Sequence, residues 1–166
     1  MKLYYDEMDS PVGPLTILSD GEQAIRIDYG PFRELTGLTK WAQRYLGEPV
    51  FQKQPGQVAL IKRELTDYFR GKREAFSFAF VFYGTPFQQQ VWHALCHVPY
   101  GETRTYKAIA DSIGNPKAVR AVGGAVNKNP FSIVVPCHRV IGANGQMVGY
   151  GGGLAKKEFL LELEAK

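Results

Sequence analysis

The first thirty residues alternate between short apolar blocks and polar turns. The apolar blocks lie at 3–8, 15–19 and 24–29, and the segments between them, 10–14 and 20–21, are rich in Pro, Gly, Ser and Asp. Short apolar runs bounded by such turn residues are typical of strands. The pattern predicts a small antiparallel sheet at the start of the chain.

Apolar positions at helical spacing follow this sheet. Residues 35–46 and 58–69 place their apolar side chains three or four positions apart, and Gly71 marks the end of the second segment. This spacing predicts two helices. Beyond them, the phenylalanines of residues 76–80 occupy alternate positions, which predicts another strand.

The pattern changes near residues 81–84, and we predict a boundary there between a domain of residues 1–82 and a domain of residues 83–166. Residues 85–88 (Thr-Pro-Phe-Gln) then supply an N-cap, a Pro at the first helical position and a Gln at the third. These are the residues of a capping box. They predict the start of a helix.

Two short helices joined by a tight turn come next. Thr105 caps a helix that runs through Ser112 and ends at Gly114, and a second helix begins at Asn115-Pro116 and runs to about residue 126. This order is that of a helix-turn-helix motif, whose second helix enters a DNA groove.

The second of these helices has almost no side-chain bulk on one face. Its small residues are Ala118, Ala121, Gly123, Gly124 and Ala125. Each Gly in a helix interior costs ~1 kcal/mol relative to Ala, so the small residues need a reason. Two explanations remain open: close packing against a neighbouring helix, and approach of the helix backbone to a narrow groove.

The end of the chain contains three further signals. Residues 132–135 are mostly β-branched and predict a buried segment. The Asn-Gly pair at 144–145, between the apolar pairs 140–141 and 147–148, predicts a tight hairpin. A last helix is predicted over residues 154–164, with Leu160, Leu161 and Leu163 facing inward.

Charge is distributed unevenly along the chain. Residues 1–100 hold 11 basic and 11 acidic side chains, whereas residues 101–166 hold nine basic and five acidic ones and carry the whole net charge of +4. Between 103 and 139, six basic residues accompany the single acid Asp111. Those six are Arg104, Lys107, Lys117, Arg120, Lys128 and Arg139. A polyanionic partner and a solvated basic face are both compatible with this charge.

Composition predicts a cytoplasmic protein. The chain has 45% hydrophobic residues, which suits one or two globular domains, and no apolar run approaches the ~20 residues that span a bilayer. An apolar leader is also missing from the first fifteen residues. The two cysteines, Cys96 and Cys137, are too few for a disulfide framework and fit a reducing compartment.

Cys137 is the candidate nucleophile. A free thiol has a pKa near ~8.5, and attack on carbon needs the thiolate, so Cys137 needs a base. Its neighbour His138 can supply that base, directly or through a water molecule, and a glutamate of the last helix can orient the imidazole. The candidates are Glu158, Glu162 and Glu164. The alternative is a buried structural cysteine with no chemical role.

A longer motif surrounds this cysteine. The sequence PCHRV at 136–140 is preceded by GGA at 123–125 and NP at 129–130, and it is followed by GGLA at 152–155. This set resembles the O6-alkylguanine-DNA alkyltransferases, also called methylated-DNA-protein-cysteine methyltransferases. The resemblance covers residues 85–164, and over the first 80 residues it is architectural only.

The resemblance implies an α+β fold and a repair reaction. A small amino-terminal α/β (ribonuclease H-like) domain with an antiparallel sheet would precede a helical carboxy-terminal domain with a winged helix-turn-helix-like motif. That domain would bind the minor groove of double-stranded DNA and flip out the damaged base. One alkyl group would pass irreversibly from O6 of guanine to the protein, and whether O4 of thymine also reacts stays open. No cofactor is implied, and a monomer that associates with the nucleoid in a bacterial or archaeal cell is expected.

The resemblance also assigns catalytic roles. Cys137 would accept the alkyl group, His138 would act as the water-mediated base, and Glu164 would support the imidazole. Asn129 would hold the turn between the recognition helix and the active site.

Further residues would contact DNA. The resemblance places Tyr106 where a tyrosine rotates the nucleotide phosphate, and Arg120 where an arginine fills the stack left by the flipped base. The rest of the expected DNA surface is Lys117, Ala118, Ala121 and Gly123. A phosphate contact by Arg120 and a core position for Tyr106 are the open alternatives.

The expected substrate pocket departs from the family pattern at some positions. Its residues would be Tyr106, Ser132, Val148, Tyr150, Gly151 and Lys157, with Lys157 near O6, where a cation stabilises developing charge. Gly151 stands where a serine hydroxyl often contacts the base. Ser132 and Val148 replace the proline and glycine of some members, which predicts poor reaction with benzyl adducts.

Metal binding is not expected. Some family members hold a zinc ion in the amino-terminal domain, but here no Cys or His precedes His93. His93 and His97 are four positions apart on a predicted helix, the spacing of a shared metal, yet the third ligand of a zinc site is missing.

Two other functions use the same residues. A non-catalytic lesion sensor would bind DNA through the same surface, but relatives of that kind replace the acceptor cysteine. A thiol hydrolase would use Cys137, His138 and a glutamate with repeated turnover. Transfer of carbon to sulfur yields a thioether, and no group in the chain is suited to cleave it, so repair would consume the protein.

Overall fold

The computed structural model of the chain describes residues 1–147 and 150–166, and the chain divides into two units, Met1–Tyr83 and Gly84–Lys166. The first unit is built around a sheet, and the second is mostly helical. This mixed α+β arrangement confirms the predicted fold class.

The sheet of the first unit contains the three predicted strands and one more. Its strands are β1 (Lys2–Met8), β2 (Leu15–Ser19), β3 (Ala24–Tyr29) and β4 (Val50–Lys53), in the spatial order β3-β2-β1-β4. β1, β2 and β3 pair antiparallel, as predicted. β4 pairs parallel to β1 at the sheet edge. The sequence did not reveal β4 because three of its four residues are exposed and no alternation marks them.

Two helices complete the first unit. The predicted helices are present as α1 (Leu38–Leu46) and α2 (Ala59–Phe69). Each starts after a short 3-10 turn, at Phe32–Glu34 and at Pro55–Val58. Leu3, Leu18 and Ile25 of the sheet pack with Leu38 and Ala42 of α1 in a buried cluster.

The strand predicted over residues 76–80 is wrong. Only Phe80 forms a bridge, to Ala24 of β3, so the segment pairs with the sheet at one point. The alternating rings instead form a row, with centroid distances of 5.8 Å between Phe76 and Phe78, 6.4 Å between Phe78 and Phe80, and 5.5 Å between Phe80 and Phe82. Alternation here reflects ring packing rather than a sheet ladder.

The second unit begins with the predicted capping box. Helix α3 (Pro86–Cys96) follows Thr85, whose hydroxyl accepts from the Gln88 amide while the Gln88 side chain accepts from the Thr85 amide. The box confirms the predicted helix start.

The helix-turn-helix pair is also present. Helix α4 (Tyr106–Ser112) is capped by Thr105 as predicted, and α5 runs over Val119–Asn127. α5 begins at Val119 rather than at Pro116, because residues 115–118 form a turn closed by a hydrogen bond from the Ala118 amide to the Asn115 carbonyl.

Trp92 links α3 to α5. Its indole nitrogen donates to the Ala125 carbonyl at 2.8 Å inside the core. Gly84 lies against the indole, and a Cβ atom at this position would be 2.6 Å from the ring. The position of α5 within its unit is therefore tied to a buried side chain of α3.

The hairpin predicted around residues 144–145 is present only in part. The turn forms, with the Gly142 amide donating to the Gln146 carbonyl. β6 (Val140–Ile141) pairs parallel with β5 (Arg104–Thr105). Val148, in the second half of the predicted hairpin, lies outside the described residues.

Helix α6 (Leu154–Glu164) closes the chain as predicted. Its buried residues are Lys157, Leu160 and Glu164, so two charged side chains face inward. Within residues 1–147 and 150–166, no helix has the length and apolar character to cross a membrane.

Candidate active site

The backbone before Cys137 is strained. Ile133 has φ of 73°, and the Val134 amide donates to the Ser132 carbonyl at 2.8 Å across it. This is a γ-turn of the rare form with positive φ, and a β-branched residue in such a conformation costs about 1–3 kcal/mol. Ile133 is also buried, so the surrounding core holds the turn in place.

A second γ-turn presents the cysteine itself. Pro136 has φ −80° and ψ 64°, and the Cys137 amide donates to the Val135 carbonyl at 2.8 Å. This common form of the turn suits Pro because the ring fixes φ. Cys137 then opens a short 3-10 helix, Cys137–Arg139, whose three side chains are all buried.

Asn129 holds this turn segment from the end of α5. Its side-chain amide donates to the Phe131 carbonyl at 3.2 Å and to the Val135 carbonyl at 2.8 Å, and its oxygen accepts from the Phe131 amide at 2.9 Å. One side chain thus satisfies three backbone groups of the segment that carries Cys137.

His138 contacts Glu164 and neither of the other two candidate glutamates. The imidazole Nε2 lies 2.7 Å from the carboxylate, and both side chains are buried. Glu158 and Glu162 are exposed on the same helix. The other ring nitrogen, Nδ1, is buried and has no hydrogen-bond partner among the described residues.

Burial governs the protonation of His138 and Cys137. It lowers the pKa of His138 below the ordinary imidazole value, although the hydrogen bond and charge of Glu164 act in the opposite direction. It raises the pKa of the Cys137 thiol, against smaller opposing effects of Asn129, Tyr150 and Lys157. Both directions favour the uncharged forms, a thiol at Cys137 and a neutral imidazole at His138.

Lys157 is fully buried beside this pair. Its ammonium donates to the Val140 carbonyl. Burial lowers the pKa of Lys157, and the charge of an ionised Cys137 raises it. This mutual effect shows that the amine is close enough to stabilise negative charge on the sulfur.

Sequence reasoning gave no separate role to Arg139, which also binds Glu164. Its Nε donates to one carboxylate oxygen at 2.7 Å and its Nη2 to the other at 3.0 Å. The only sequence signal is a charged residue directly after the Cys-His pair in an otherwise apolar run. The partner is 25 positions away, which local pattern cannot reveal.

Of the remaining predicted pocket positions, Tyr106 and Tyr150 interact with Cys137. Tyr106 is half-buried, and both burial and the charge of Cys137 raise its pKa. Tyr150 is half-buried, and its hydrogen bond with Cys137 acts to lower the pKa of the thiol. Ser132 flanks the strained turn, and a Cβ on the exposed Gly151 would lie 3.6 Å from the Asn127 carbonyl. The predicted pocket residue Val148 lies outside the described residues.

The small residues of α5 do not all share one open face: Ala125 is buried, whereas the space around Gly123 and Gly124 is open. No described atom other than those of the helix itself and neighbouring residues lies within 4 Å of a Cβ built on Gly123 or Gly124. Close packing therefore does not explain these two glycines. Ala121 and Arg120 are exposed next to them, and Ala118 is half-buried at the helix start.

The basic side chains of this unit differ in their partners. Lys107 pairs with Asp111, and Arg104 pairs with Glu102. Over the ranges that the structure describes, no ion pair involves Lys117, Arg120 or Lys128, and all three are exposed.

His93 of α3 and His97, which follows the helix, are not part of a larger ligand cluster among the described residues. Nδ1 of His97 lies 2.9 Å from the His93 carbonyl. Among the described residues, no group of three or more His, Cys, Asp or Glu side chains is arranged to hold a metal ion.

Comparison with known families matches both units. The family described as 6-O-methylguanine DNA methyltransferase, ribonuclease-like domain, matches residues 3–82. The family described as 6-O-methylguanine DNA methyltransferase, DNA binding domain, matches residues 86–166. Together the two matches span nearly the full chain.

Individual relatives agree with these family matches. A methylated-DNA-protein-cysteine methyltransferase of Methanosarcina barkeri is 44% identical over 98% of this chain and 97% of its own length. One from Haemophilus influenzae is 47% identical over 98% of this chain and 86% of its own length. The crystal structure of Mycobacterium tuberculosis OGT in complex with DNA superposes with a TM-score of 0.84 at 41% identity, covering 99% of this chain and 93% of that one.

Proposed function

The chain belongs to the methylated-DNA-protein-cysteine methyltransferase family of direct-reversal DNA repair enzymes, and on that premise we propose that Cys137 is the residue that accepts the alkyl group. The chain is a DNA-binding methyltransferase, as its relatives are. The observation that supports Cys137 most directly is that it is buried and directly precedes the buried His138, whose Nδ1 has no hydrogen-bond partner among the described residues and whose Nε2 contacts Glu164.

The proton leaves the thiol as the sulfur attacks. His138 Nδ1 takes this proton, directly or through one water molecule, and Glu164 stabilises the imidazolium that forms. A transient thiolate fits the raised pKa of Cys137 better than a permanent one does. Lys157 stabilises the negative charge as it appears.

The bond changes at the alkyl carbon balance without any cofactor. A carbon-sulfur bond forms to Cys137 while the bond between that carbon and O6 breaks, and its electron pair stays on guanine. The O6-alkyl form of guanine lacks a proton on N1, so the released base gains one proton there. That proton balances the one lost by the thiol and comes from the imidazolium, directly or through solvent. The product on the protein is a thioether, so each molecule acts once.

We assign DNA contact to the helix-turn-helix pair. The open face of α5 lets the helix backbone approach the narrow minor groove, which larger side chains would prevent. Arg120, exposed beside that face, enters the base stack in place of the flipped guanine. Lys117 contributes phosphate contact, and Tyr106 rotates the nucleotide phosphate into the pocket. In a bacterial or archaeal cell the protein would act at the nucleoid, where the genomic DNA lies, and it would bind the duplex as a monomer.

A titration with damaged duplex tests this proposal. The protein is mixed with increasing amounts of duplex that carries one O6-methylguanine with a labelled methyl group, and the label on the protein is counted. We expect a plateau at one methyl per molecule, which Cys137→Ser abolishes. Cys96→Ser is the matched control, because Cys96 is exposed on α3, and it should reach the wild-type plateau.

Two outcomes would overturn the proposal. Continuous release of methyl product would indicate a thiol hydrolase. Tight binding of the damaged duplex with no label on the protein would indicate a lesion sensor.

A further inference from the structure

Two neighbouring basic side chains share one buried carboxylate. His138 Nε2 lies 2.7 Å from Oε2 of Glu164, and Arg139 donates to both oxygens of the same group, from Nε at 2.7 Å and from Nη2 at 3.0 Å. The side chain of Glu164 is 1% exposed. A two-point contact with the guanidinium thus holds the carboxylate in one orientation. In this orientation Oε2 can also accept a hydrogen bond from His138.

Arg139 is itself fixed from other directions. Its Nη1 donates to the Val98 carbonyl at 2.7 Å, and its guanidinium lies over the Tyr100 ring, 5.6 Å from the centroid. All three nitrogens of the planar group therefore have a defined partner. A lysine at this position would offer one nitrogen and lose the planar two-point contact.

The charged groups around His138 favour its neutral imidazole over the imidazolium. The guanidinium of Arg139 is permanently positive and already compensates the carboxylate of Glu164. The charge of the buried Lys157 also acts on His138, and burial raises the pKa of Cys137, which favours its uncharged thiol. An imidazolium at rest would add an uncompensated positive charge beside two cationic side chains. The charge of Arg139 acts accordingly and lowers the pKa of His138.

We propose that Arg139 is a positioning residue for alkyl transfer: by holding both oxygens of Glu164 it keeps that carboxylate an ionised acceptor, which fixes the imidazole proton of His138 on Nε2 and leaves Nδ1 as the base for Cys137. Arg139 touches neither substrate nor sulfur in this role and acts through Glu164. The inference rests on the proposed function, since it concerns the base of that reaction.

The pH dependence of single-turnover methyl transfer separates this role from a merely structural one. In Arg139→Gln the compensating charge is lost, so the imidazole holds its proton to higher pH and the acidic limb of the rate profile moves to higher pH. The deficit against wild type should then be larger near pH 6 than near pH 8. Arg139→Lys keeps the charge but loses the two-point contact with Glu164, so the rate of methyl transfer should fall about threefold to tenfold at every pH. The control is Arg70→Gln, which replaces an exposed arginine directly after α2 and should give the wild-type pH profile.

A measurement on the unmodified protein covers the case in which Arg139→Gln does not fold. The chain has three histidines, so the nitrogen chemical shifts of His138 can be assigned by NMR with few variants. At neutral pH we expect a neutral ring with its proton on Nε2. A proton on Nδ1, or an imidazolium, would overturn the inference.

The outcomes also separate this inference from the proposed function. A folded Arg139→Gln variant with a rate profile parallel to wild type would overturn the role of Arg139 while methyl transfer stands. Failure of the wild type itself to take methyl on Cys137 would overturn the proposed function instead.

Discussion

At the scale of single residues, the chemistry depends on how the backbone presents one sulfur. Ile133 occupies a conformation that costs free energy, and Pro136 fixes the turn that follows. Asn129 bonds to three backbone groups of Phe131 and Val135, on either side of the γ-turn at Ile133. The side chain of Asn129 is therefore expected to offset the strain at Ile133.

Removal of the Asn129 amide should release this segment. Asn129→Ala leaves two carbonyls and one amide without their partner, so we expect a loss of about 2–4 kcal/mol in the free energy of unfolding. Methyl transfer should slow even under conditions in which the variant is fully folded, because the sulfur loses its fixed position. Urea denaturation and single-turnover kinetics measure the two effects. Asn127→Ala, at an exposed position of α5, is the control, and equal rates in the two folded variants would contradict this role.

The residue scale also shows what sequence can and cannot predict. The Thr85 capping box follows from four adjacent residues, and the structure confirms it. Glu164 as the partner of His138 was one of three candidates, because a contact across 26 positions leaves no local pattern and only family resemblance singled it out. The γ-turn at Ile133 was not predicted, since β-branched residues ordinarily avoid positive φ.

At the scale of elements, α5 carries a surface that local stability does not favour. Two adjacent glycines in a short helix cost stability, and no described neighbour requires them. From the sequence, two explanations of these small residues stayed open: approach to a DNA groove and packing against another helix. The free space around Gly123 and Gly124 excludes the second explanation for these two residues. The start of α5 was predicted three residues early, because the turn of residues 115–118 has helix-like signals without helical hydrogen bonds.

Replacement of Gly124 should separate stability from repair. Gly124→Ala adds a methyl group in open space and removes the cost of a helical glycine, so the protein should gain up to about 1 kcal/mol in the free energy of unfolding. If this face enters the minor groove, repair in duplex should slow while the reaction with free O6-alkylguanine base stays unchanged. Thermal unfolding measures the stability, and single-turnover kinetics measure repair in duplex and reaction with the free base. A duplex rate equal to or faster than that of the wild type would show that this face of α5 does not contact DNA.

Arg120 belongs to the same element and tests base flipping. Arg120→Ala should slow repair in duplex by about tenfold to hundredfold, since extrusion of a base costs a few kcal/mol. The reaction with a free base analogue should stay near the wild-type rate. Lys128→Ala removes an exposed charge just beyond α5 and should change the duplex rate little at moderate salt. An equal fall of both rates in Arg120→Ala would show that Arg120 does not fill the stack.

At the scale of the whole molecule, two units of different architecture share one chain. The sheet strands of the first unit were predicted because their apolar runs end at clear turns, whereas β4 was not, because it is a short exposed edge strand. The alternating phenylalanines of residues 76–80 misled the prediction, since ring packing and strand pairing give the same period of two. The first unit also contains a buried carboxylate of its own, Glu64.

Glu64 makes the free energy of unfolding depend on pH. Burial raises the pKa of this carboxyl, but hydrogen bonds from Ser77 and the charge of Arg73 outweigh burial, so the net pKa is lowered. The stabilisation is present above the unfolded value of about 4.3 and is lost as pH falls through the lower folded value. Glu64→Gln should therefore cost about 1–3 kcal/mol near pH 7 and less near pH 3. Urea denaturation at the two pH values, with exposed Glu74→Gln as the control, measures this; a cost that does not change with pH would contradict it.

The most direct test of the central claim is the mass of the peptide that contains Cys137. Trypsin cleaves after Lys128 and Arg139, so this cysteine lies in the peptide of residues 129–139, apart from Cys96. After incubation with duplex that contains O6-methylguanine, that peptide should be heavier by one methyl group in place of a proton, with the modification on sulfur. An unmodified peptide from folded protein, alongside duplex that still carries its lesion, would contradict the account.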